Sequence, residues 1–368
     1  MRIIIDCRMY GLENAGIGRY IINLVDQIEK LDKKNDYYLL FRRKYYSELT
    51  FSNPKFHKIL ADYPHYSLKE QIFLPIQLFK LKPDLVHFPH FNVTLFYFGK
   101  FVVTIHDLIK HSSRGIETTT HNSWLYWFKY LGYKIVFSQA VKRADTIFVP
   151  SQQVKKELVA NYHLFDNKIL VTYEGVDNNF KKEERSGILE KYEIRKPFII
   201  YTGSVYPHKN IDRLIQSIKL IEKPLDLVIS CSRNIFWDRL NEKIKTNKVE
   251  NRVRLLGFVP DQELRLLYTQ ARAFVFPTLS EGFGLPGLEA MASGCPVICS
   301  NLPVLKEIYG NAAVYFDPYD INNMTKSISD FCFGEKENKE KMKRLGLDQV
   351  KKYSWKKMAK ETIHEYFI

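Results

Sequence analysis

Short apolar runs alternate along this chain with longer stretches whose apolar positions recur at a helical period. A run of about four to eight residues with no polar face is buried on both sides, the mark of a parallel sheet covered by helices. In the first half the runs are RIIID (2–6), YYLLF (37–41), DLVHF (84–88), FVVTIHD (101–107), TIFVPS (146–151) and KILVTY (168–173). Helical stretches lie between several of them, notably 17–31 and 151–161. Around 174–196 the chain turns polar and charged, and then the pattern restarts. It continues with PFIIYTG (197–203), a helix near 210–222, LDLVIS (225–230), RVRLLGF (252–258), a helix at 261–270, AFVFP (273–277), a helix from Pro286 and CPVICS (295–300). Strands alternating with helices predict βαβ units. The expected fold class is therefore α/β with two serial doubly wound domains, 1–174 and 197–350, joined by a linker at 175–196 and followed by a C-terminal helix at 351–368 expected to pack back on the first domain. Ligands of such sheets bind beyond the carboxyl ends of the strands.

Composition sharpens this picture in one respect. The 368 residues are 45% hydrophobic, enough for two cores, and 55 Lys and Arg against 41 Asp and Glu give a net charge of +14. Such an excess attracts polyanions: nucleic acid, an anionic membrane surface or phosphorylated substrates. The five cysteines are scattered, with no C-x-x-C pair, and read as free thiols in a reducing compartment. The start, MRIIIDCRMYG, reads as a first strand and not as a signal peptide, and no uncharged apolar stretch is long enough to span a bilayer. The expected location is cytoplasmic, with peripheral attachment to the inner face of the plasma membrane left open.

The segment LSEGFGLPGLEAMASGCPV (279–297) carries the most chemistry. Gly282, Gly284 and Gly287 let backbone approach a ligand closely, and Pro286 suits the first turn of a helix. A helix N-terminus favours an anion such as a diphosphate. Glu281 is expected in the loop before that helix and Glu289 in its first turn, and a carboxylate accepts hydrogen bonds from hydroxyls on neighbouring sugar carbons. The plainer reading is a capped helix with two solvated glutamates. GIGRY (16–20) lacks the third glycine of a dinucleotide fingerprint and reads by itself as a tight turn opening a helix. His106 and Asp107 end the run FVVTI, where an active-site group is expected, and His87 and His90 lie nearby in sequence. No D-x-D occurs, so no metal and no cofactor is expected. Residues 124–143 mix aromatic with basic side chains, which fits either a helix packed on the first sheet or an interfacial surface.

The spacing of Glu281 and Glu289 closely resembles the E-x7-E signature of the family-4 glycosyltransferases. GIGRY, TIHD (104–107), VPSQ (149–152), TGSVYPHKN (202–210), LLGFVPDQEL (255–264) and YSWKKMA (353–359) follow in the family's order. The resemblance implies a retaining enzyme of GT-B fold, two Rossmann-like domains facing across a cleft. It implies that Glu281 contacts the donor sugar and Glu289 the ribose, that Phe283, Gly284 and Leu285 present backbone amides, and that Lys209 meets the diphosphate. Gly16 and Gly18 would lie near the same diphosphate, and His106 would face the sugar. The family often carries an arginine where this chain has Ser204 or His208, which leaves the phosphate clamp to be supplemented from elsewhere. The implied reaction is transfer of a hexose from a nucleotide-sugar donor to a growing, lipid-linked bacterial surface glycan. Overall likeness favours the mannosyltransferases that build O-antigen and capsule from GDP-mannose, with UDP- or dTDP-sugars as alternatives. A nucleic-acid-binding protein would need a recognised module, and a nicotinamide oxidoreductase would need G-x-G-x-x-G; neither occurs.

Overall fold

A computed structural model describes residues 1–109, 123–176, 187–195, 197–231 and 235–367. The chain divides into two compact units, one built from Met1–Leu108, Thr119–Gly175 and Ser354–Ile368 and the other from Ile109–Thr118 and Val176–Tyr353.

The first unit carries seven parallel strands: β1 (Arg2–Asp6), β2 (Asp36–Phe41), β3 (Phe56–Leu60), β4 (Leu85–Phe88), β5 (Phe101–Thr104), β6 (Ile147–Val149) and β7 (Ile169–Val171). Their order is β3-β2-β1-β4-β5-β6-β7, with Ile4 of β1 opposite Tyr38 on one side and Val86 on the other. The chain works outward from β1 to one edge and resumes at β4 on the far side, so the loops leaving β1 and β4 diverge and open a crevice. Ile3, Ile4, Ile5, Leu85, Val86 and Phe88 are buried, as strands covered on both faces require. Helix Ala15–Leu31 buries Tyr20, Ile21, Leu24, Val25 and Ile28 at helical spacing. Edge strand β3 was not expected, because FHKIL breaks its apolar run with two adjacent polar residues and three of its five positions are only half-buried.

Helix Trp355–Glu365 belongs to this first unit although it follows the whole of the second. Ser354 caps it by accepting from the Lys357 amide at 3.4 Å. The Trp355 ring lies edge-on to Tyr20 at 6.4 Å. Just past the helix, the Tyr366 hydroxyl meets His87 Nδ1 at 2.6 Å, and His87 Nε2 meets Thr104 Oγ1 at 2.9 Å. Thr104 in turn meets the Tyr20 hydroxyl at 3.2 Å. His87 is fully buried, and burial, helped by the charge of His106, lowers its pKa to about 3. It is a neutral structural imidazole and lines no open surface.

The second unit carries six parallel strands: β8 (Phe198–Thr202), β9 (Asp226–Ser230), β10 (Val253–Gly257), β11 (Phe274–Phe276), β12 (Val297–Ser300) and β13 (Ala313–Phe316). Their order, β10-β9-β8-β11-β12-β13, reverses between β8 and β11. Strand β13 was not expected, since AVYF is short and two of its four positions are half-buried. Residues 177–186 and 196 of the expected linker lie outside the described residues. The rest of that segment is not a free linker. Ile188 and Ile194 are buried, and Lys191 and Tyr192 reach Glu263 at 2.5 and 2.7 Å, because an apolar pair gives the segment a place in the second unit. All five cysteines are buried and unpaired. Among the described residues no helix is long and apolar enough to cross a membrane.

Gly175 fixes how closely the final helix approaches the sheet. A Cβ there would come within 2.0 Å of the Trp355 nitrogen and 2.5 Å of the Ser354 carbonyl carbon, both backbone atoms. Gly175→Ala is expected to destabilise the first unit by about 2 kcal/mol, the scale of overpacking against atoms that cannot rotate away. Urea unfolding followed by Trp fluorescence measures it, and an unchanged midpoint would mean that the helix is not seated there.

Candidate functional site

In the second unit the crevice lies between the loops that leave β8 and β11. Tyr201 Oη donates to the Ser204 carbonyl at 2.5 Å as the chain turns at Gly203, whose φ of +133° suits a glycine. Pro207–Lys209 forms one tight turn, and Asn210, at φ 60°, ends it. Asn210 Nδ2 donates to the carbonyls of Pro277 (3.0 Å) and Pro318 (2.8 Å), and its Oδ1 accepts from Arg213 (2.8 Å). The Leu279 amide and Thr278 hydroxyl donate to the His208 carbonyl at 2.8 and 3.3 Å. Two loops far apart in sequence are thus fastened together, and Lys209 and Glu281 stand side by side as an ion pair. Their side chains are 14% and 11% exposed, and the ammonium also lies 5.6 Å from the centre of the Phe276 ring.

The glycine loop follows. Phe283 is buried with its ring edge-on to Tyr353 at 5.6 Å, which anchors the loop from beneath. Gly284, at φ +95°, caps helix Leu285–Ala292, with Pro286 in the first turn. The Tyr309 hydroxyl donates to the Gly284 carbonyl. A Cβ at Gly284 or Gly287 would approach the Tyr309 oxygen to 2.6 or 2.2 Å. These two glycines therefore answer to Tyr309 as well as to any ligand. Because the helix begins at Leu285, the half-buried Glu289 falls in its second turn and not its first. His208 is no second cation: burial, and then the neighbouring Lys209 charge, lower its pKa to about 3. Ser204 is half-buried, and its carbonyl is held by Tyr201.

In the first unit His106 lies just past β5 between two acceptors. Its Nδ1 faces Glu174 Oε1 at 3.2 Å, and its Nε2 faces the Pro89 carbonyl at 2.9 Å. Burial opposes its charge, but the Glu174 hydrogen bond and charge, the Pro89 carbonyl and Asp107 together raise its pKa above the usual value. With both nitrogens donating, the ring has no lone pair for accepting a proton, so its chemistry is that of a placed positive charge. Glu174 was not anticipated; its one sequence signal is a position just after the run KILVTY. Gly16 and Gly18 lie inside helix Ala15–Leu31 and not in a loop before it. A Cβ on Gly18 would sit 1.8 Å from the Gly11 carbonyl oxygen, so packing alone requires that glycine; Gly16 faces open space.

The two buried histidines respond oppositely to pH. Between its usual 6.5 and about 3, His87 refuses a proton that the unfolded chain accepts. Stability therefore falls on acidification through that window, by up to about 1.4 kcal/mol per pH unit. His106 holds its proton more tightly in the fold, so its contribution is complete below 6.5 and fades as pH rises through its raised pKa. Glu174→Gln is expected to lower the His106 pKa in an imidazole NMR titration. It should also destabilise the protein more at about pH 6 than at about pH 9. Equal destabilisation at both would sink the protonated assignment.

Comparison with known proteins places this geometry. Residues 15–180 match glycosyltransferase family 4, and residues 182–347 match the glycosyl transferases group 1. O-antigen chain mannosyltransferase B of Escherichia coli is 31% identical over 242 residues, 62% of this chain and 62% of that protein. O-antigen chain mannosyltransferase RfbU of Salmonella typhimurium is 31% identical over 198 residues, 54% of each chain. The matched segments thus span 62% and 54% of these relatives' own lengths. A sucrose-phosphate synthase from Thermosynechococcus elongatus has the same fold, with a TM-score of 0.78 over 100% of this chain and 98% of that one at 16% identity. Two parallel sheets with flanking helices, matched by adjoining family segments, define the protein: the chain belongs to the family-4 glycosyltransferases of GT-B fold and is similar to the bacterial O-antigen mannosyltransferases.

Proposed function

We propose that the protein transfers a hexose, with retention, from a nucleotide diphosphate-sugar to a growing bacterial surface glycan, with mannose from GDP-mannose as the favoured donor. The observation that carries this reading is the meeting of Lys209 and Glu281 at the reversal point of the second sheet, beside a glycine-capped helix start. The lysine suits a diphosphate that gains charge as the glycosidic bond breaks, and the carboxylate suits sugar hydroxyls. Ser204, the Gly284–Leu285 backbone and Glu289 would complete the donor contacts. His106 would hold a fixed positive charge at the carboxyl edge of the first sheet. The leaving diphosphate would itself assist deprotonation of the acceptor. Relatives that are named O-antigen mannosyltransferases support the sugar and the kind of acceptor.

The ion pair makes this reading testable. Without ligand, Glu281 competes for the charge that a diphosphate needs. Glu281→Ala should therefore bind GDP at least as tightly as wild type while turnover falls by roughly ten- to hundredfold, the worth of a hydrogen bond to a charged acceptor. Lys209→Ala should lose turnover as well as affinity, and Lys209→Arg should recover part of both. Turnover is expected to persist in EDTA. A thermal-shift panel of GDP-, UDP-, ADP- and dTDP-sugars identifies the base by mass action. Activity lost in EDTA and restored by Mg²⁺ would assign the charge to a metal, and wild-type turnover in both alanine variants would remove the donor site.

A lipid-linked acceptor at the inner face of the plasma membrane has its own support. Helix Leu68–Leu81 exposes Leu68, Ile72, Phe73, Ile76 and Phe79, opposite the buried Leu74 and Leu78. Phe96 and Phe98 are exposed in the next loop, and Trp127, Leu131 and Ile135 on helix Ser123–Arg143. These pieces adjoin: Gln71 accepts from the Leu95 amide at 2.8 Å, Phe79 meets Tyr97 at 5.6 Å, and Arg143 donates to the Leu95 carbonyl at 3.0 Å. So much apolar surface is rare on a monomer, and exposed Lys69, Lys80 and Lys134 on the same helices suit an anionic bilayer. Of the interfacial segment 124–143, the side chains of 124–126 and 128 lie outside the described residues. The protein is expected to sediment with anionic vesicles at low salt and to release at high salt. Ile72→Glu with Ile76→Glu should abolish sedimentation; an unaffected double variant would move the contact elsewhere.

A further inference from the structure

The first unit holds a pocket of 390 Å³ that the donor chemistry does not use. It is formed at the carboxyl ends of β1, β2 and β3, by Arg8 and Tyr10 after the first, Arg42, Arg43 and Lys44 after the second, and Asp62 after the third. Arg42 and Arg43 both reach Asp62, yet only through Nε, at 3.3 and 3.4 Å. Their terminal nitrogens make no hydrogen bond among the described residues. Lys44 is 3.4 Å from Glu13. Two carboxylates, Asp62 and Glu13, thus face three solvent-exposed cations in the lining. Behind them Arg8 is 2% exposed and already met by two carboxylates: its Nε and Nη2 bond Asp6 at 2.7 and 2.6 Å, and Nη2 also bonds Glu70 at 2.6 Å. Its Nη1 is buried without a hydrogen-bond partner.

We propose that this pocket binds a phosphate or diphosphate group carried by the sugar acceptor, so that the protein selects phosphorylated acceptors over neutral glycans. The inference rests on the glycosyltransferase reading and specifies its second substrate. Paired guanidinium forks match phosphate oxygens two at a time, which a neutral sugar hydroxyl cannot exploit. The volume suits a phosphate with an attached sugar or the first segment of a lipid. The phosphate's source, a lipid diphosphate or a free sugar phosphate, is separated by the choice of probe.

Calorimetric titration with geranyl diphosphate, glucose 1-phosphate and inorganic pyrophosphate tests this on the full chain. At least one is expected to bind, at least tenfold more weakly to Arg42→Ala with Arg43→Ala, and more tightly to Asp62→Asn, which removes the competing carboxylate. Preference for geranyl diphosphate identifies a lipid-linked acceptor, and preference for glucose 1-phosphate a soluble one. GDP binding in parallel reports that the double variant is folded. Binding that Lys209→Ala abolishes and the double variant retains would place the phosphate in the second unit and overturn the proposal, as would no binding of any probe at millimolar concentration. Sugar transfer with an unchanged acceptor KM in the double variant removes this pocket and leaves the transferase. Probe binding lost in the double variant, in a protein that transfers no sugar, removes the transferase and leaves the pocket.

Discussion

Everything chemical in this protein follows from a constraint on parallel sheets. Each strand must return by a right-handed crossover, so a sheet grows outward from its first strand and has to restart on the other side. At the restart two neighbouring strands send their loops in opposite directions, and nothing in the backbone fills the gap. The second unit uses that gap to bring together Lys209 and Glu281, 72 residues apart in the chain. The first unit spreads its polar groups along the same edge of its sheet, with Arg8 after β1, Arg42 and Arg43 after β2 and His106 after β5.

The Lys209–Glu281 pair is better understood as a reserved charge than as a source of stability. Both groups are largely withdrawn from water, and the desolvation of each offsets much of their attraction. What the pair secures is position. Asn210, Thr278 and the Leu279 amide hold the two loops in register, so an incoming ligand meets an arranged lysine. His106 is treated similarly on the first unit, where Glu174 and the Pro89 carbonyl fix both ring nitrogens and with them the charge.

The layered architecture and the main site loops were legible in the sequence because buried parallel strands are unbroken apolar runs and because glycine, proline and glutamate are sparse enough to stand out between them. Strands β3 and β13 were not, since FHKIL and AVYF are half-covered and their patterns are weak. Partnerships were the larger omission. Nothing in the order of residues says that Tyr309 sits under Gly284 and Gly287, that Glu174 faces His106, or that Lys209 is neutralised by Glu281. The apolar outer face of helix Leu68–Leu81 escaped for a different reason: with apolar residues all round, its sequence has no polar side to mark which face is exposed.

The return of residues 354–368 to the first unit has a consequence for how the protein is made. During synthesis the first unit emerges first but lacks Trp355 and Tyr366, the partners of Tyr20 and His87, until some 180 further residues have been added. All of the second unit has been synthesised before that helix appears. The order of completion is therefore the reverse of the order of translation: a nascent chain carries all seven strands of the first sheet while the faces of Tyr20 and His87 that the last helix covers are still bare.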